Sequence, residues 1–298
     1  MYIEEINRLK KEKNAIILAH FYQNPEIQEI ADYVGDSLEL SRIANTTDSD
    51  MIVFCGVHFM AETAKLLSPD KKVLLPKANS LCRMATMVKY DDLLAYKQAN
   101  PDTVIVTYVN TRANIKALSD VIVTSSNAEK IIKHYKDRKI MYVPDKNLGT
   151  YLKDKLGYDI EVWPGYCYIH ELLTVKDVQN LRLEHPNAKL LIHPEAPLDV
   201  LKMADFVGST KQILNYATED ECDEFIIGTD KGIIHALQKA NPNKKFHLLS
   251  KGLNCIDMKR IHLEDLYIAL RDEVTEIEVD EEIRKKAIIA LNKMMELS

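Results

Sequence analysis

The sequence predicts an α/β fold of three similar three-layer α/β/α sandwich domains, each built on a parallel sheet, around a pseudo-threefold axis. Two observations predict it. One segment pattern occurs three times along the chain, and in each copy short apolar runs such as 104–106 alternate with longer helical segments such as 62–67. This alternation is typical of βαβ crossovers, which build parallel sheets. The runs are almost continuously apolar, as expected for strands covered by helices on both faces.

The three copies share an aspartate that fixes their alignment. These residues are Asp32, Asp120 and Asp205, which are separated by 88 and 85 residues. The repeat predicts domain boundaries at 1–88, 89–173 and 174–260. Both chain ends have the pattern of amphipathic flanking helices. We expect the N-terminal helix to belong to the first domain and the helices of 261–298 to pack on that domain as well.

Composition excludes several classes of protein. The 298 residues are 46% hydrophobic and 28% charged, which is typical of a packed globular chain and excludes a disordered one. The net charge of −6 comes without a basic block, so nucleic acid is not an expected partner. The first residues are too charged for a secretory signal, and no apolar run approaches the roughly 18 residues of a membrane span. We therefore expect a cytoplasmic protein without a membrane partner.

Polar residues follow the first predicted strand of each repeat, at the edge where α/β sheets bind ligands. Counted from the anchoring aspartates, three positions recur: twelve residues before, ten residues before and five residues after. The hydroxyls of the last group precede a helix, where hydroxyl and backbone N–H groups can bind phosphate or carboxylate, although they can equally be simple helix caps. In that order the residues are His20, Tyr108 and His193, then Tyr22, Asn110 and Glu195, then Ser37, Ser125 and Thr210.

Three of the five cysteines follow the same repeat. Cys82, Cys167 and Cys255 lie 50, 47 and 50 residues after their anchoring aspartates. If the three domains face one another, these thiols converge and form a metal site. They can hold zinc together with a fourth protein ligand, or an iron–sulfur cluster with one iron that the protein leaves unligated. The odd number of widely spaced cysteines makes disulfides unexpected.

The remaining cysteines and histidines have no threefold equivalents. Cys55 ends an apolar run and is predicted to be a buried small hydrophobe, while Cys222 lies in an acidic segment and is predicted to be exposed. Six histidines are assigned surface or packing roles. They are His58, His134, His185, His235, His247 and His262.

A set of motifs spread over nearly the whole chain resembles the quinolinate synthase family. This family has three similar α/β domains around a central site, in agreement with the repeat. The motifs are ILAHFYQ at 17–23, ADYVGDSLELSR at 31–42, GVHFMAETAKLL at 56–67, YVNT at 108–111, TSSNA at 124–128, PDKNLG at 144–149, HPEAP at 193–197 and VGST at 207–210.

The resemblance implies a reaction. Members of the family condense iminoaspartate with dihydroxyacetone phosphate to quinolinate, phosphate and water, in the de novo biosynthesis of NAD. They use a [4Fe-4S] cluster, and its three ligand positions match Cys82, Cys167 and Cys255. The fourth iron stays open for substrate. Iminoaspartate and dihydroxyacetone phosphate are thus the implied small-molecule partners, and transient contact with the enzyme that produces iminoaspartate is a further expectation.

The resemblance also implies roles for individual residues. Glu195 is the expected base for proton removal, with Tyr22 and His193 as neighbours, and His20 and Tyr108 are expected to transfer protons. The remaining positions are expected to hold carboxylates and phosphate and to orient the reacting carbons. The positions that match the family's active site are His20, Tyr22, Ser37, Tyr108, Asn110, Ser125, His193, Glu195, Ser209 and Thr210.

Two other functions are compatible with the same residues. A zinc-stabilised metabolite-binding protein would use the three cysteines only for structure. An aconitase-like hydro-lyase would act on one small acid and would not consume dihydroxyacetone phosphate. Iron and acid-labile sulfide assays distinguish the zinc protein from a cluster enzyme.

Overall fold

The computed structural model describes residues 2–298 and contains three four-stranded sheets, in which every strand pair is parallel. Helices flank each sheet, so the prediction of three similar α/β domains is confirmed. The strands are β1 Ala15–His20, β2 Tyr33–Gly35, β3 Met51–Cys55 and β4 Lys72–Leu74; β5 Val104–Tyr108, β6 Val121–Val123, β7 Ile140–Val143 and β8 Ile160–Val162; and β9 Lys189–Ile192, β10 Phe206–Val207, β11 Glu224–Gly228 and β12 Lys245–Leu248.

The strand order is the same in all three sheets. It is β2-β1-β3-β4, β6-β5-β7-β8 and β10-β9-β11-β12, so the first strand of each unit lies inside its sheet. The helices are α1 Tyr2–Glu12, α2 Pro25–Ile30, α3 Ser37–Thr46, α4 His58–Leu67, α5 Tyr90–Ala99, α6 Ala113–Lys116, α7 Ala128–Ile132, α8 Lys146–Leu156, α9 Val175–Glu184, α10 Leu198–Leu201, α11 Thr210–Glu219, α12 Ile233–Ala240, α13 Leu263–Asp272 and α14 Glu281–Leu297.

The inner strands are buried on both faces. All residues of β1, β3, β5 and β7 are buried, which explains their continuous apolar sequences. One apolar cluster extends through the first and second units, and the second unit has a further small cluster of its own. The third unit has a separate cluster on each face of its sheet. Cys55, at the end of β3, is fully buried, and Cys222 is partly buried.

The three anchoring aspartates make the same contacts in each unit. Each carboxylate accepts a hydrogen bond of 2.7–2.8 Å from a backbone N–H of the first strand, and the N–H of the aspartate donates to the carbonyl of that same residue. A basic side chain, Lys10, Lys97 or Arg182, pairs with each aspartate. This contact fixes the turn at which the chain of each unit passes from the helix after its first strand into its second strand. The pairs are Asp32 with Ile17, Asp120 with Ile105 and Asp205 with Leu190.

The flanking helices connect the units in two ways. Helix α13 packs against α1 and also touches β3, so it lies on the first unit. Helix α14 mainly contacts α6 and β6 of the second unit and makes a smaller contact with α4. The last helix therefore bridges the first and second units. None of the described helices is both long and apolar enough to cross a bilayer.

Replacing Asp205 by Ala should destabilise the third unit. The fully buried Leu190 would keep its backbone N–H but lose the acceptor, which costs about 1–3 kcal/mol. We expect a lower melting temperature in calorimetry, and no such change in Asp48→Ala, which alters an exposed aspartate outside the repeat contact. Equal melting temperatures for Asp205→Ala and the unmodified chain would contradict the anchoring role.

Candidate active site

A cavity lined by residues of all three units lies where the units meet. The first strand of each unit ends beside it, and the loops after the fourth strands bring in the three cysteines. With one exception, Ser209, the residues predicted for the site line this cavity. They are His20, Tyr22, Ser37, Cys82, Tyr108, Asn110, Ser125, Cys167, His193, Glu195, Thr210 and Cys255.

Two of the lining histidines occupy equivalent positions and have equivalent hydrogen bonds. The Nδ1 atom of His20 accepts from the N–H of Tyr22 at 3.1 Å, and Nδ1 of His193 accepts from the N–H of Glu195 at 3.4 Å. Burial lowers the pKa of each imidazole to about 4. Both rings are therefore neutral at pH 7, and the remaining proton lies on Nε2. In His193 this Nε2 lies 3.2 Å from the Ser125 hydroxyl.

Glu195 is a buried carboxylate with several donors around it. Tyr108 donates to Oε1 at 2.8 Å, Asn110 approaches the same oxygen at 3.5 Å, and Nδ1 of His170 lies 2.9 Å from Oε2. Burial of Glu195 favours the neutral acid, but the adjacent His193 and His170 and the Tyr108 bond outweigh burial and lower the pKa. Glu195 is therefore ionised at neutral pH.

His170 continues this hydrogen-bond network toward the first unit. Its Nε2 lies 2.9 Å from the Thr229 hydroxyl, which is 2.5 Å from the hydroxyl of Tyr22. Thr210 donates to the same tyrosine oxygen at 3.1 Å. A buried chain of polar groups thus runs from Glu195 through His170 and Thr229 to Tyr22. Sequence reasoning did not select His170, because its position has no histidine in the other two repeats.

The hydroxyls of Ser37 and Thr210 are not used as helix caps, because neighbouring residues cap the two helices. Asp36 caps α3 by accepting from Leu38 and Glu39, which leaves Ser37 as the first helical residue. Ser209 caps α11 in a capping box with Gln212, which leaves Thr210 in the corresponding place. The simple cap assignment for Ser37 and Thr210 is therefore wrong.

Ser209 serves a junction between the three units, and it is absent from the described cavity lining. Its hydroxyl lies 3.1 Å from Oδ2 of Asp36, and the hydroxyl of Ser126 lies 2.6 Å from the same oxygen. The two serine oxygens are 2.7 Å apart. One residue from each unit therefore meets at this point, and one of the three, Asp36, also lines the cavity.

The cysteine thiols of the site also have equivalent surroundings. In each unit the residue three positions after the cysteine supplies a hydrogen-bond donor to its sulfur. For Cys82 and Cys255 the donor is a backbone N–H, of Ala85 and Met258 respectively. For Cys167 it is the imidazole of His170, which lies 3.2 Å from the sulfur. Burial raises the pKa of all three thiols, that of Cys82 to about 12. Buried thiols of this kind ionise when a metal cation binds them.

Two sets of residues in the cavity can hold a metal. The first set consists of the three cysteine thiols, one from each unit. In the second set, Cys167, His170 and Glu195, the ligand atoms all lie within 4.8 Å of one another. Cys167 belongs to both sets, so the residues that differ between the two sets can distinguish them by experiment.

Two further residues hold the turns that carry Tyr22 and Asn110. Gln28 donates to the carbonyls of Phe21 and Gln23 at 3.0 and 2.9 Å, on either side of Tyr22. Lys116 donates to the carbonyls on either side of Asn110, those of Val109 and Thr111. Gln28 and Lys116 both lie four residues before the anchoring aspartate. We name this pair the turn clamp.

Sequence reasoning missed the turn clamp although the repeat contained the information. An amide and an amine occupy equivalent positions, and comparison by residue type does not match them. Both side chains are long and end in a nitrogen that can donate several hydrogen bonds. Each donates to the backbone carbonyls seven and five residues earlier in the chain. In the third unit the equivalent position is the buried Leu201, so the clamp occurs in two units of three.

The turn clamp predicts that glutamine can replace Lys116 and that methionine cannot. Lys116→Met keeps the length but removes a donor from two carbonyl oxygens. The Val109 oxygen keeps its bond from the N–H of Thr111, whereas the loss at the Thr111 oxygen costs about 1–3 kcal/mol. Lys116→Gln restores the donors in the form that the first unit already uses. In urea unfolding, we expect Lys116→Gln to have a higher free energy of unfolding than Lys116→Met. Likewise, the unmodified chain with Gln28 should have a higher free energy of unfolding than Gln28→Met. A methionine variant as stable as the glutamine variant would contradict the clamp.

Lys116 also predicts a dependence of stability on pH. Burial lowers the pKa of its amine from 10.5 to about 7, so between these values the folded chain binds fewer protons than the unfolded chain. Stability therefore rises with pH across this window. Relative to Lys116→Gln, we expect the unmodified chain to gain about 1.4 kcal/mol per pH unit above pH 7 in urea unfolding. A constant difference from pH 7 to 9 would refute the buried titration.

Comparison with known proteins is consistent with this geometry. The family model described as quinolinate synthetase A protein matches residues 4–296. A quinolinate synthase of Alkaliphilus metalliredigens is 51% identical over 296 residues, which cover 99% of this chain and 98% of the relative. Those of Sulfurihydrogenibium sp. and Trichodesmium erythraeum are 49% and 46% identical, covering 98% and 99% of this chain and 97% and 93% of the relatives. The chain therefore belongs to the quinolinate synthase family, a family of enzymes.

Proposed function

We propose that this chain condenses iminoaspartate with dihydroxyacetone phosphate to quinolinate, phosphate and water, as a step in NAD biosynthesis. The observation that carries the proposal is the composition of one cavity, in which three cysteines from three units face the polar strand-end residues. Family membership over nearly the whole chain supports the same reaction. The source of iminoaspartate, and any contact with the enzyme that produces it, stay predictions.

The cysteines fit a [4Fe-4S] cluster better than they fit a single ion. Three thiolates around one zinc ion lie about 3.8 Å apart, given a Zn–S bond of about 2.3 Å. Among residues 2–298, the groups whose ligand atoms lie within 4.8 Å of one another do not include these three thiols together. A [4Fe-4S] core is larger than a single ion and therefore suits thiols that lie further apart. Hydrogen-bond donors to the sulfur ligands are also typical of cluster sites.

We assign Cys82, Cys167 and Cys255 as the ligands of this cluster. When bound, it supplies an iron without a protein ligand, a Lewis acid that stabilises negative charge on a substrate oxygen. Cluster thiols must be kept reduced, which supports the expectation of a cytoplasmic protein.

The substrates are anions, and the cavity offers neutral donors for them. Ser37 and Thr210 are the first residues of two ten-residue helices, α3 and α11, whose N-termini favour negative charge. Ser125 lines the same cavity, and Nε2–H of His193, 3.2 Å away, can donate to its oxygen, which leaves the hydroxyl proton for a ligand. We propose that these three hydroxyls hold the phosphate and carboxylate groups.

Asn110 supplies an acceptor inside the same cavity. Its side-chain Oδ1 is buried without a hydrogen-bond partner among the described residues, while its Nδ2 faces Glu195. An unpartnered buried carbonyl is costly unless a ligand donor satisfies it. We propose that Asn110 accepts the N–H of the imine substrate and so orients the nitrogen toward the carbon that it attacks.

Glu195 is proposed to remove the proton during tautomerisation and loss of water. It is ionised and therefore able to accept a proton, although its lowered pKa makes it a weak base. The adjacent His170, whose Nδ1 is 2.9 Å from the carboxylate and whose Nε2 is 2.9 Å from the Thr229 hydroxyl, holds the carboxylate in position. Burial and the Glu195 charge raise the pKa of Tyr108, so this phenol remains a neutral donor to the carboxylate.

Glu195→Gln should abolish turnover and leave the metal content unchanged. The substitution keeps size and most hydrogen bonds but removes the base, an effect of about 100-fold or more on kcat. Quinolinate formation is measured on anaerobically purified enzyme, together with iron and sulfide. The matched control is Glu171→Gln, a carboxylate next to the cavity that pairs with Lys146, and it should change kcat only a few-fold. Full activity in Glu195→Gln would remove this residue as the base.

A zinc-stabilised binding protein remains the second candidate because of the compact set Cys167, His170 and Glu195. Distances in this set suit a single ion with three protein ligands and open positions. Such a protein would be colourless, would contain no sulfide and would not consume dihydroxyacetone phosphate. An aconitase-like hydro-lyase would also leave dihydroxyacetone phosphate unconsumed, but it would contain the cluster.

The two ligand sets predict opposite results for two variants. With a cluster on the three cysteines, Cys82→Ala loses colour, iron and sulfide, whereas His170→Ala keeps all three. With a single ion on the compact set, Cys82→Ala keeps the metal and His170→Ala loses it. Iron, zinc and sulfide are measured after anaerobic purification. Four irons per chain retained in Cys82→Ala would contradict the cluster assignment.

A further inference from the structure

A group of two histidines and one glutamate lies on the third unit, away from the cavity. His185 caps the C-terminus of α9, Glu224 is the first residue of β11, and His247 lies in β12. Glu224 begins its strand, whereas the site residues follow the other ends of the strands. The group therefore lies at the opposite edge of the third sheet, and none of its members serves the proposed reaction.

The three side chains converge on one point. Nδ1 of His185 is 3.0 Å and Nε2 of His247 is 2.8 Å from the same oxygen, Oε1 of Glu224. All three ligand atoms lie within 4.8 Å of one another. The two rings are stacked, with centroids 3.6 Å apart and planes 20° from parallel. Other exposed histidines differ: His235 and His262 each meet a single glutamate without a second histidine.

We propose that His185, Glu224 and His247 form a binding site for a divalent transition-metal ion, with zinc as the expected occupant. Two imidazoles and one carboxylate are ligands that zinc prefers, and water completes the coordination. Ligands bonded tetrahedrally to one ion at about 2.0–2.2 Å lie roughly 3.3–3.6 Å apart, so the side chains need to open by about half an ångström to admit the ion. An ion replaces the two hydrogen bonds and spreads the stacked rings.

The site is accessible and electrostatically suited to a cation. Each of the three side chains is about a quarter exposed, at 25%, 28% and 27%, so solvent can reach the carboxylate and the rings can turn. The three ligand atoms already face one another, and a metal ion binds glutamate as the carboxylate and histidine through the lone pair of the neutral imidazole.

A bound ion would join three segments of the third unit. The end of α9, the start of β11 and the middle of β12 are separated in sequence, and the ion would connect them without involving the cavity. Because the unfolded chain does not present these ligands together, zinc should stabilise the folded protein and raise its melting temperature by a few degrees. Turnover should not change.

The test is equilibrium dialysis of tag-free, cluster-loaded protein against zinc under anaerobic conditions, with zinc and iron measured separately. We expect about one zinc per chain beyond the iron, and binding at least tenfold weaker in His185→Gln and His247→Gln. The control His262→Gln, which alters an exposed histidine with only one glutamate partner, should bind as the unmodified protein does. The melting temperature should rise with zinc in the control and stay constant in His247→Gln.

Three outcomes would overturn the proposal. No zinc beyond the iron means that the group is only hydrogen-bonded. Zinc uptake that tracks iron loss and is equal in His247→Gln means that zinc enters the cysteine site. Zinc binding that disappears in Cys222→Ser and persists in His247→Gln assigns it to this partly buried thiol, which contacts the backbone carbonyl of Glu224.

Discussion

The paired hydrogen bonds between each anchoring aspartate and its first strand are the contact on which the architecture depends. They close the first crossover in the same way three times, with the carboxylate accepting and the backbone N–H donating to one strand residue. Because the chain geometry between this contact and the strand end is then equal in the three units, residues at equal sequence distances reach equivalent places. The threefold similarity of the cavity lining follows from that local contact.

Much of this organisation could be predicted from sequence because it is periodic. The strands are continuous apolar runs, and the positions twelve before, ten before and five after the aspartate meet in one cavity. What escaped prediction depends on contacts whose chemistry varies between units. Lys116 and Gln28 make the same bonds with different groups, and the donor to sulfur is a backbone N–H in two units and the imidazole of His170 in the other. Residue identity does not reveal such equivalence; donor geometry does.

The helix caps illustrate a finer limit of sequence reasoning. A serine or threonine before an apolar helix is compatible with a cap and with a ligand contact, since both use the same hydroxyl. Only the structure distinguishes Ser209, which caps α11, from Thr210, whose hydroxyl donates a hydrogen bond to Tyr22. The surface against which the last helix, α14, packs is a similar case. Its apolar face specifies burial, but several surfaces of the first and second units could have accepted it, and it covers both.

The three units depend on one another at the cavity. In this respect the protein differs from repeat proteins whose units contact only their neighbours through flat faces. The Tyr22 turn of the first unit lies against the third: Gln28 donates to the carbonyl of Gly232, Lys259 donates to that of Tyr22, and a Cβ at Gly232 would come within 2.6 Å of the tyrosine backbone. Only glycine permits this approach. The turn of Tyr22, a residue that lines the cavity, is therefore held by another unit as well as by its own. Preorganisation of the site and assembly of the units thus rest on the same contacts, and neither can be altered without the other.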